Sequence, residues 1–262
     1  MAIGPDDRGF TLGDGLFETL AAQHGRLCDV ARHLARMATG CAALGLPPPD
    51  LERAGRLLRE ALPADATGQW AVRLTLTAGP GGRGLERPSD PTLTLVATAA
   101  PAPRPAGPAR LATVGVRRNA GSPASRLKTL SYLDNVLARA EARAAGADEA
   151  VMLNTAGHVA CAAAANIFWT REGVLFTPAL DCGVLAGVTR EDLMAAARGQ
   201  GVEVREAAAG PEALAQADGV LITSSLIGAR PVASVDGRAL GLPPLIAQLA
   251  GALAERQASS ER

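Results

Sequence analysis

A proline-rich segment constrains the fold of this chain more than any other feature of its sequence. Residues 101–108 contain four prolines in eight positions, and proline fits neither the interior of a helix nor a central strand. We therefore predict a semi-rigid interdomain linker over 101–109. This linker divides the 262 residues into a small N-terminal domain, 1–100, and a larger C-terminal domain, 110–262.

The first domain is predicted to be α+β. Apolar residues recur at helical spacing over 29–45, and a second amphipathic helix is predicted over 50–62, ending before Pro63. Two strands are expected at 70–77 and 92–97, before and after a glycine-rich turn that begins at residue 78.

The second domain is predicted to combine short strands with helices. Strands are expected at 110–117, 149–154, 158–161, 165–169, 173–177 and 219–223, and helices at 131–145, 189–199 and 243–256. The residues between the last strand and the last helix are expected to form a loop. Both halves together indicate a mixed α/β protein.

The bulk composition gives no indication of nucleic-acid or membrane binding. The formal net charge is zero, no apolar run reaches the roughly 18 residues of a membrane span, and the N-terminus lacks a secretory signal pattern. The cysteines form no CxxC pair and fit no zinc-site spacing; they are Cys28, Cys41, Cys161 and Cys182. We therefore predict reduced thiols, no bound metal and a cytoplasmic protein.

Lys128 is the only lysine among 26 basic residues. A guanidinium stays protonated, whereas a lysine amine can lose its proton when it is buried and can then attack a carbonyl carbon. Lys128 is therefore a candidate Schiff-base nucleophile. The alternative is that a strong arginine bias left one surface lysine by chance.

Six motifs, in this order along the chain, resemble the class IV (fold type IV) pyridoxal 5'-phosphate (PLP) enzymes. They are residues 7–10 (DRGF) with 13–18 (GDGLFE), 33–37 (HLARM), 127–133 (LKTLSYL), 165–168 (ANIF), 185–190 (LAGVTR) and 225–232 (SLIGARPV). The family includes branched-chain and D-amino-acid aminotransferases and aminodeoxychorismate lyase. The resemblance implies a two-domain fold with a small α/β domain, a larger domain with a β-barrel-like core, and a homodimer.

The resemblance also implies the residues that bind PLP. Lys128 would hold the cofactor covalently and then move the proton at the substrate Cα, and Arg36 would bind the cofactor phosphate. Val188 and Thr189, at a helix start, would complete the phosphate site. Further cofactor contacts are implied for Tyr132, Leu185 and Ser225. Each of these residues also has an alternative interpretation without a cofactor. Arg36 would be a solvated arginine, Val188 and Thr189 a plain helix start, Tyr132 a packed aromatic, Leu185 a core residue and Ser225 a turn residue.

Two arginines are candidates for the substrate carboxylate. Relatives place an arginine in the turn after a strand, sometimes across the dimer interface, and Arg83 occupies that turn. Arg73, on the strand itself, is the second candidate. Either could be plain surface charge.

The chain departs from the family at Cys161. Relatives have a glutamate five residues before the Asn of the ANIF motif, where it holds a proton on the pyridine nitrogen. A neutral thiol cannot form an ion pair with a pyridinium, so full transaminase activity is in doubt and a lyase is favoured. Relatives also begin with a short strand before DRGF, so this edge strand is expected to be absent or the sequence to be truncated.

The first expectation for function is aminodeoxychorismate lyase, which forms aminobenzoate and pyruvate by β-elimination. The alternative is an aminotransferase that acts on branched-chain or D-amino acids with an oxo-acid acceptor. A third possibility is a cofactor-binding homologue with little catalysis. The substrate is accordingly a small amino acid or aminodeoxychorismate.

Overall fold

The computed structural model describes residues 3–260 and shows a mixed α/β protein. The chain forms two compact units. One comprises residues 3–104 and 127–131, and the other comprises 105–126 and 132–260. The prediction of a domain boundary at 101–109 stays a prediction, but the second unit begins within that segment, at Pro105.

The first unit is a four-stranded antiparallel sheet with helices against it. Its elements are α1 (Arg8–Leu12), β1 (Gly15–Gln23), β2 (Arg26–Leu27), α2 (Val30–Ala43), α3 (Leu51–Ala61), β3 (Gln69–Thr77) and β4 (Thr94–Pro101). The strand order is β2-β1-β3-β4. Successive side chains of a strand point to opposite faces of the sheet. One face of this sheet therefore packs into the hydrophobic core, and the side chains of the other face point away from that core.

The core face of this sheet is aliphatic. Leu16 lies opposite Leu76, and Leu20 opposite Val72; these residues pack with Leu34, Met37 and Leu58 of α2 and α3. Phe17 and Arg73 lie on the opposite face, since each is one residue out of step with the core residues of its strand. The helical spacing predicted over 29–45 and 50–62 is therefore confirmed as the packing face of α2 and α3.

Residues 127–131 return from the second part of the sequence to pair with β1. The amide of Phe17 donates to the carbonyl of Lys128 at 2.9 Å, and the amide of Leu130 donates to the carbonyl of Gly15 at 3.0 Å. Leu16 and Thr129 form an antiparallel bridge. The lysine segment, which the sequence reading assigned to the 110–262 domain, thus belongs to the first unit.

The second unit is built on a larger sheet. Its elements are β5 (Ala109–Arg118), α4 (Pro123–Arg126), α5 (Leu133–Ala144), β6 (Glu149–Asn154), β7 (Val159–Cys161), β8 (Asn166–Arg171), β9 (Val174–Pro178), a short 3-10 turn (Leu180–Cys182), α6 (Val188–Gly199), β10 (Val204–Ala207), α7 (Glu212–Ala215), β11 (Gly219–Ser224), β12 (Gly228–Val235), β13 (Arg238–Ala239) and α8 (Pro244–Ser260). The strand order is β10-β9-β8-β11-β12-β5-β6-β7, with β13 added to β12.

Helices pack against different parts of this sheet. Ala138 and Ala142 of α5 pack with Met152 and Cys161 of β6 and β7, and α6 and α8 pack on β8 and β11. All six residues of β6 are buried, as expected for a strand in the interior of a covered sheet.

The loop expected after 219–223 is wrong, because Gly228–Val235 forms strand β12 near the middle of the sheet. Proline is usually excluded from central strands. Because of Pro231, the sequence pattern did not predict a strand here. The structure accommodates Pro231 opposite Leu221 of β11. On its other side β12 pairs with β5 through an irregular register at Val232 and Ser234.

Two further features bear on the predictions made from composition. None of the helices within residues 3–260 is long and apolar enough to cross a membrane. Cys28, Cys41, Cys161 and Cys182 are all thiols rather than members of a disulfide.

Gly79 is predicted to be essential for the turn after β3. Its φ is +76°, and a Cβ placed there would lie 1.8 Å from the carbonyl oxygen of Thr92. We expect Gly79→Ala to lower the free energy of unfolding in urea by about 3 kcal/mol. Gly82→Ala in the same turn is the control, since a Cβ there meets nothing within 4 Å and should change stability by less than about 0.5 kcal/mol. Equal effects of the two substitutions would contradict this account.

Candidate active site

Lys128 is held with its amine in the interior of the first unit. The residue as a whole is half-buried, and its backbone is fixed by the pairing with β1. Burial above all, together with the charges of Arg36 and Arg73, lowers the pKa of the amine to about 8, and the charge of Glu18 opposes this effect. A lysine with such a pKa is neutral often enough to act as a nucleophile or a base near pH 7.

The ring of Phe17 lies close to two cationic groups. Lys128 Nζ is 4.2 Å from the ring centroid, and the guanidinium carbon of Arg73 is 3.7 Å from it. The faces of an aromatic ring attract cations, and Phe17 is itself only 4% exposed. The Phe17 ring therefore holds both the lysine amine and Arg73, one of the two candidate substrate arginines, close to itself.

Arg36 is paired with a buried carboxylate. Its Nε and Nη2 donate to Glu18 at 2.8 and 2.6 Å, and Glu18 also contacts His33 Nδ1 at 2.7 Å. Burial opposes the ionisation of Glu18, but the hydrogen bonds from Arg36 and His33 outweigh it and lower the pKa to about 2. Arg36 is thus a fixed, half-buried cation rather than a mobile surface arginine.

Arg83 is exposed in the segment between β3 and β4. Arg8 anchors this segment, because its guanidinium donates to the carbonyl oxygens of Leu85 and Glu86 at 2.9 and 3.0 Å and to Asp14 at 2.9 Å. Arg83 is therefore carried by a turn that is tied to the body of the first unit. Of the two candidate arginines, Arg73 is the one that the structure brings to the surroundings of Lys128.

In the second unit, Asn166 fixes the start of α6. Its Nδ2 donates to the carbonyl of Leu185 at 3.0 Å, and a Cβ on Gly187 would lie 2.1 Å from its Oδ1. Val188 and Thr189 follow as the first two residues of the helix, and both are buried. The backbone N–H groups at such a helix start attract anions.

Asn166 also ties this helix start to the end of β11, where it pairs with Thr223. Thr223 is 1% exposed, and its hydroxyl has no hydrogen-bond partner in the part of the chain that the structure describes. Ser225 follows after β11 and is half-buried, as are Leu185 and Tyr132, which precedes α5. The predicted phosphate-binding residues of the second unit thus come from two connected places, the start of α6 and the end of β11.

Cys161 ends β7 as a buried, neutral thiol. Burial raises the pKa of the thiol; the Arg118 guanidinium opposes this effect, and the Glu149 carboxylate adds to it. Glu149 is occupied elsewhere, since it accepts from the amides of Ala150 and Ala163 at 2.9 and 3.2 Å and pairs with Arg139. The structure therefore supplies no thiolate and no uncommitted carboxylate at this position.

Sequence reasoning assigned no role to four residues that shape the site: Glu18, Phe17, His33 and Asn166. A usable signal existed for His33, which lies one helical turn before Arg36 and so on the same face of α2. Phe17 and Glu18 belong to the GDGLFE motif, but their contacts come from residues distant in the sequence, so the motif alone did not predict their roles.

A family model described as amino-transferase class IV matches residues 15–235. The chain belongs to this family. It is 30% identical to the bifunctional aminodeoxychorismate lyase / D-amino acid transaminase of Mycobacterium tuberculosis, over 98% of this chain and 93% of that protein.

Solved structures of class IV aminotransferases agree with this assignment. The branched-chain aminotransferase of Thermoproteus uzoniensis, solved with norvaline, superimposes with a TM-score of 0.91 at 26% identity, over 100% of this chain and 91% of that one. A PLP-bound aminotransferase of Mycobacterium tuberculosis, described as hypothetical, gives 0.87 at 26% identity, over 99% and 94%. The predicted family, the fold type and the assignment as a lyase or aminotransferase are confirmed.

Replacing Lys128 in this class IV enzyme is predicted to stabilise it. The pKa of Lys128 falls from its usual 10.5 to about 8 on folding, so between these values the unfolded chain binds more protons and stability rises with pH. At pH 7 the protein bears the full cost of burying the charge. We expect Lys128→Met in cofactor-free protein to raise the free energy of unfolding at pH 7 by roughly 1–2 kcal/mol.

The gain should shrink as pH rises from 8 toward 10.5, because the native amine then loses its charge. Lys128→Arg is the control, since its guanidinium stays charged across this window and should show no gain. Urea unfolding at several pH values measures the difference. A methionine variant less stable than the parent at pH 7 would contradict the assignment.

Proposed function

We propose that the chain binds PLP through Lys128 and acts as an aminodeoxychorismate lyase. Loss of the proton at Cα breaks the C–O bond at Cβ, so that the enolpyruvyl group leaves as pyruvate and the aromatised ring keeps its amine as aminobenzoate. The observation that carries the proposal is the single lysine, with an interior amine whose pKa is about 8 beside two arginines. The match to class IV aminotransferases and a PLP-bound relative support the cofactor.

The donor groups fit a phosphorylated aldehyde. Lys128 supplies the amine, and Arg36 a cation of fixed position. In the second unit, the start of α6 offers backbone N–H groups, and Thr223 offers a buried hydroxyl without a partner among residues 3–260. An amine, a cation and neutral hydrogen-bond donors are the kinds of group that an aldehyde bearing a phosphate requires.

When bound, PLP supplies a ring that withdraws electrons and stabilises negative charge at the substrate Cα. Lys128 Nζ accepts the proton from Cα. With a pKa of about 8, roughly a tenth of the free amine is neutral at pH 7. Arg36 holds the phosphate, and Arg73, which is fixed on Phe17, is the first candidate to bind the substrate carboxylate, with Arg83 the second.

The remaining cofactor contacts are part of the same proposal. Val188 and Thr189 would bind the phosphate with their backbone amides, and Ser225 would add a hydroxyl. Leu185 would cover one ring face, and Tyr132 would donate its phenolic proton to the cofactor.

Cys161 favours elimination over transamination. The thiol is buried and its pKa is raised, so it offers no negative charge to hold a proton on a ring nitrogen. Transamination depends on that proton more strongly than the loss of a leaving group from Cβ does. The relative named as both lyase and transaminase shows that the two reactions occur within this family.

An aminotransferase for branched-chain or D-amino acids is the second candidate, supported by the similarity to the branched-chain enzyme. A cofactor-binding homologue with little catalysis is the third, because the group at 161 is changed.

We also propose a homodimer. On α5, Leu133, Val136 and Leu137 are 68%, 60% and 49% exposed, and such an apolar stripe is typical of a surface that a second subunit covers.

Covalent attachment of PLP to Lys128 tests the cofactor assignment. We expect borohydride reduction of the loaded protein to add one pyridoxyl group, located on Lys128 by peptide mass spectrometry. Lys128→Ala should carry none, because no other lysine exists in the chain. Failure to label the parent protein would refute all catalytic readings together.

Substitution of Cys161 tests the choice of reaction. We expect Cys161→Glu to raise the ratio of transaminase to lyase activity about tenfold or more, measured as oxoglutarate-dependent loss of an amino acid against release of pyruvate from aminodeoxychorismate. Cys161→Ser is the matched control, since it keeps the position neutral and should leave the ratio unchanged. If glutamate and serine gave the same ratio, the link between Cys161 and elimination would be wrong.

A further inference from the structure

Glu18 is the most deeply buried charged group around Lys128, and the proposed reaction does not use it directly. It is 1% exposed and accepts three hydrogen bonds, from Arg36 Nε at 2.8 Å, Arg36 Nη2 at 2.6 Å and His33 Nδ1 at 2.7 Å. A buried carboxylate requires such partners, so the three groups form one unit, which we name the Glu18 cluster.

The geometry of the Glu18 cluster follows from β1 and α2. Glu18 shares the core face of β1 with Leu16 and Leu20, and this face packs against α2. His33 and Arg36 lie one helical turn apart, so a single carboxylate reaches both. Because the pKa of Glu18 is about 2, the carboxylate is ionised and can only accept; His33 Nδ1 therefore carries the proton and donates it.

Two-point contact fixes the plane of the Arg36 guanidinium. A bidentate arginine–carboxylate pair restricts rotation as well as position, and His33 in turn restrains the carboxylate from the other side. Arginine side chains lose considerable rotamer freedom when they bind an anion. A guanidinium that is already held loses less, and this preorganisation increases affinity.

We propose that Glu18, braced by His33, is a positioning residue that acts through Arg36 by holding its guanidinium ready for a phosphate oxygen. This inference rests on the proposed function, in which Arg36 binds the phosphate of PLP. It assigns a role to two residues, Glu18 and His33, to which the proposed function gives no contact with the cofactor.

Positioning and simple charge predict opposite results when the carboxylate is removed. Glu18 carries the negative charge that offsets Arg36 and Arg73 at the lysine amine. Neutralising it makes the surroundings of Lys128 more positive, so charge alone predicts tighter binding of an anion. Loss of positioning predicts weaker binding. The sign of the change therefore separates a positioning role from a charge effect.

Glu18→Gln in the full chain, with inorganic phosphate as the probe, provides the test. Lysine labelled with ¹³C at Cε gives one protein signal, because Lys128 is the only lysine; this signal reports both phosphate binding and the titration of the amine. We expect the variant to bind phosphate about tenfold more weakly. We also expect Lys128 to titrate about one pH unit lower, because the charge that favours its protonated form is lost.

Matched variants identify the cause. Glu18→Asp keeps the carboxylate and should recover part of the phosphate affinity. Asp14→Asn is the control, because Asp14 is likewise paired with two arginines, Arg8 and Arg87, but is not among the groups that shift the pKa of Lys128. It should change neither the phosphate affinity nor the titration of Lys128.

Tighter or unchanged phosphate binding by Glu18→Gln would overturn the proposal, as would the absence of saturable phosphate binding by the parent protein. If Glu18→Gln does not fold, His33→Gln tests the same idea, because it removes the brace and keeps the carboxylate. Weaker phosphate binding without a lower titration of Lys128 would support the proposal, and unchanged binding would refute it. None of these measurements uses PLP, so they are distinct from the labelling of Lys128.

Discussion

The pairing of residues 127–131 with β1 is the constraint on which the candidate site depends. Two backbone hydrogen bonds, between Phe17 and Lys128 and between Leu130 and Gly15, set the register. Because side chains alternate along an extended segment, a shift by one residue would turn Leu127 or Thr129 toward the position of the lysine. The register thus places the amine beside Phe17 and among Glu18, Arg36 and Arg73.

This arrangement places several charges where burial disfavours them. Three cationic groups and one carboxylate share the site, and burial is the largest influence on the pKa of both Lys128 and Glu18. For Glu18 the hydrogen bonds outweigh burial, whereas for Lys128 burial prevails and the pKa of the amine falls to about 8. Burial acts on both residues, but Glu18 keeps a permanent negative charge whereas Lys128 becomes an amine that titrates near pH 8. The site therefore lowers stability in return for reactivity, as functional sites commonly do.

The sequence predicted the features that depend on local pattern. Helices expected at 29–45 and 50–62 form at Val30–Ala43 and Leu51–Ala61, because their apolar residues recur with the helical period. Strand β12 was missed because Pro231 breaks the local strand pattern, and its pairing with β5 and β11 overrides that preference. The membership of Lys128 in the first unit and the partners of Glu18 could not be predicted, since both depend on pairings between distant segments.

The neutral group at position 161 is consistent with its surroundings. The negative charge that acts on Cys161 is that of Glu149, whose own pKa is raised by burial. A second carboxylate at 161 would repel this one, and Arg118 is the cation that could offset the repulsion. Arg118 already donates to Asn135 and Ser125, which lie on either side of the lysine segment. A carboxylate at 161 would therefore compete for a guanidinium that already holds Asn135 and Ser125, whereas a neutral thiol does not compete for it.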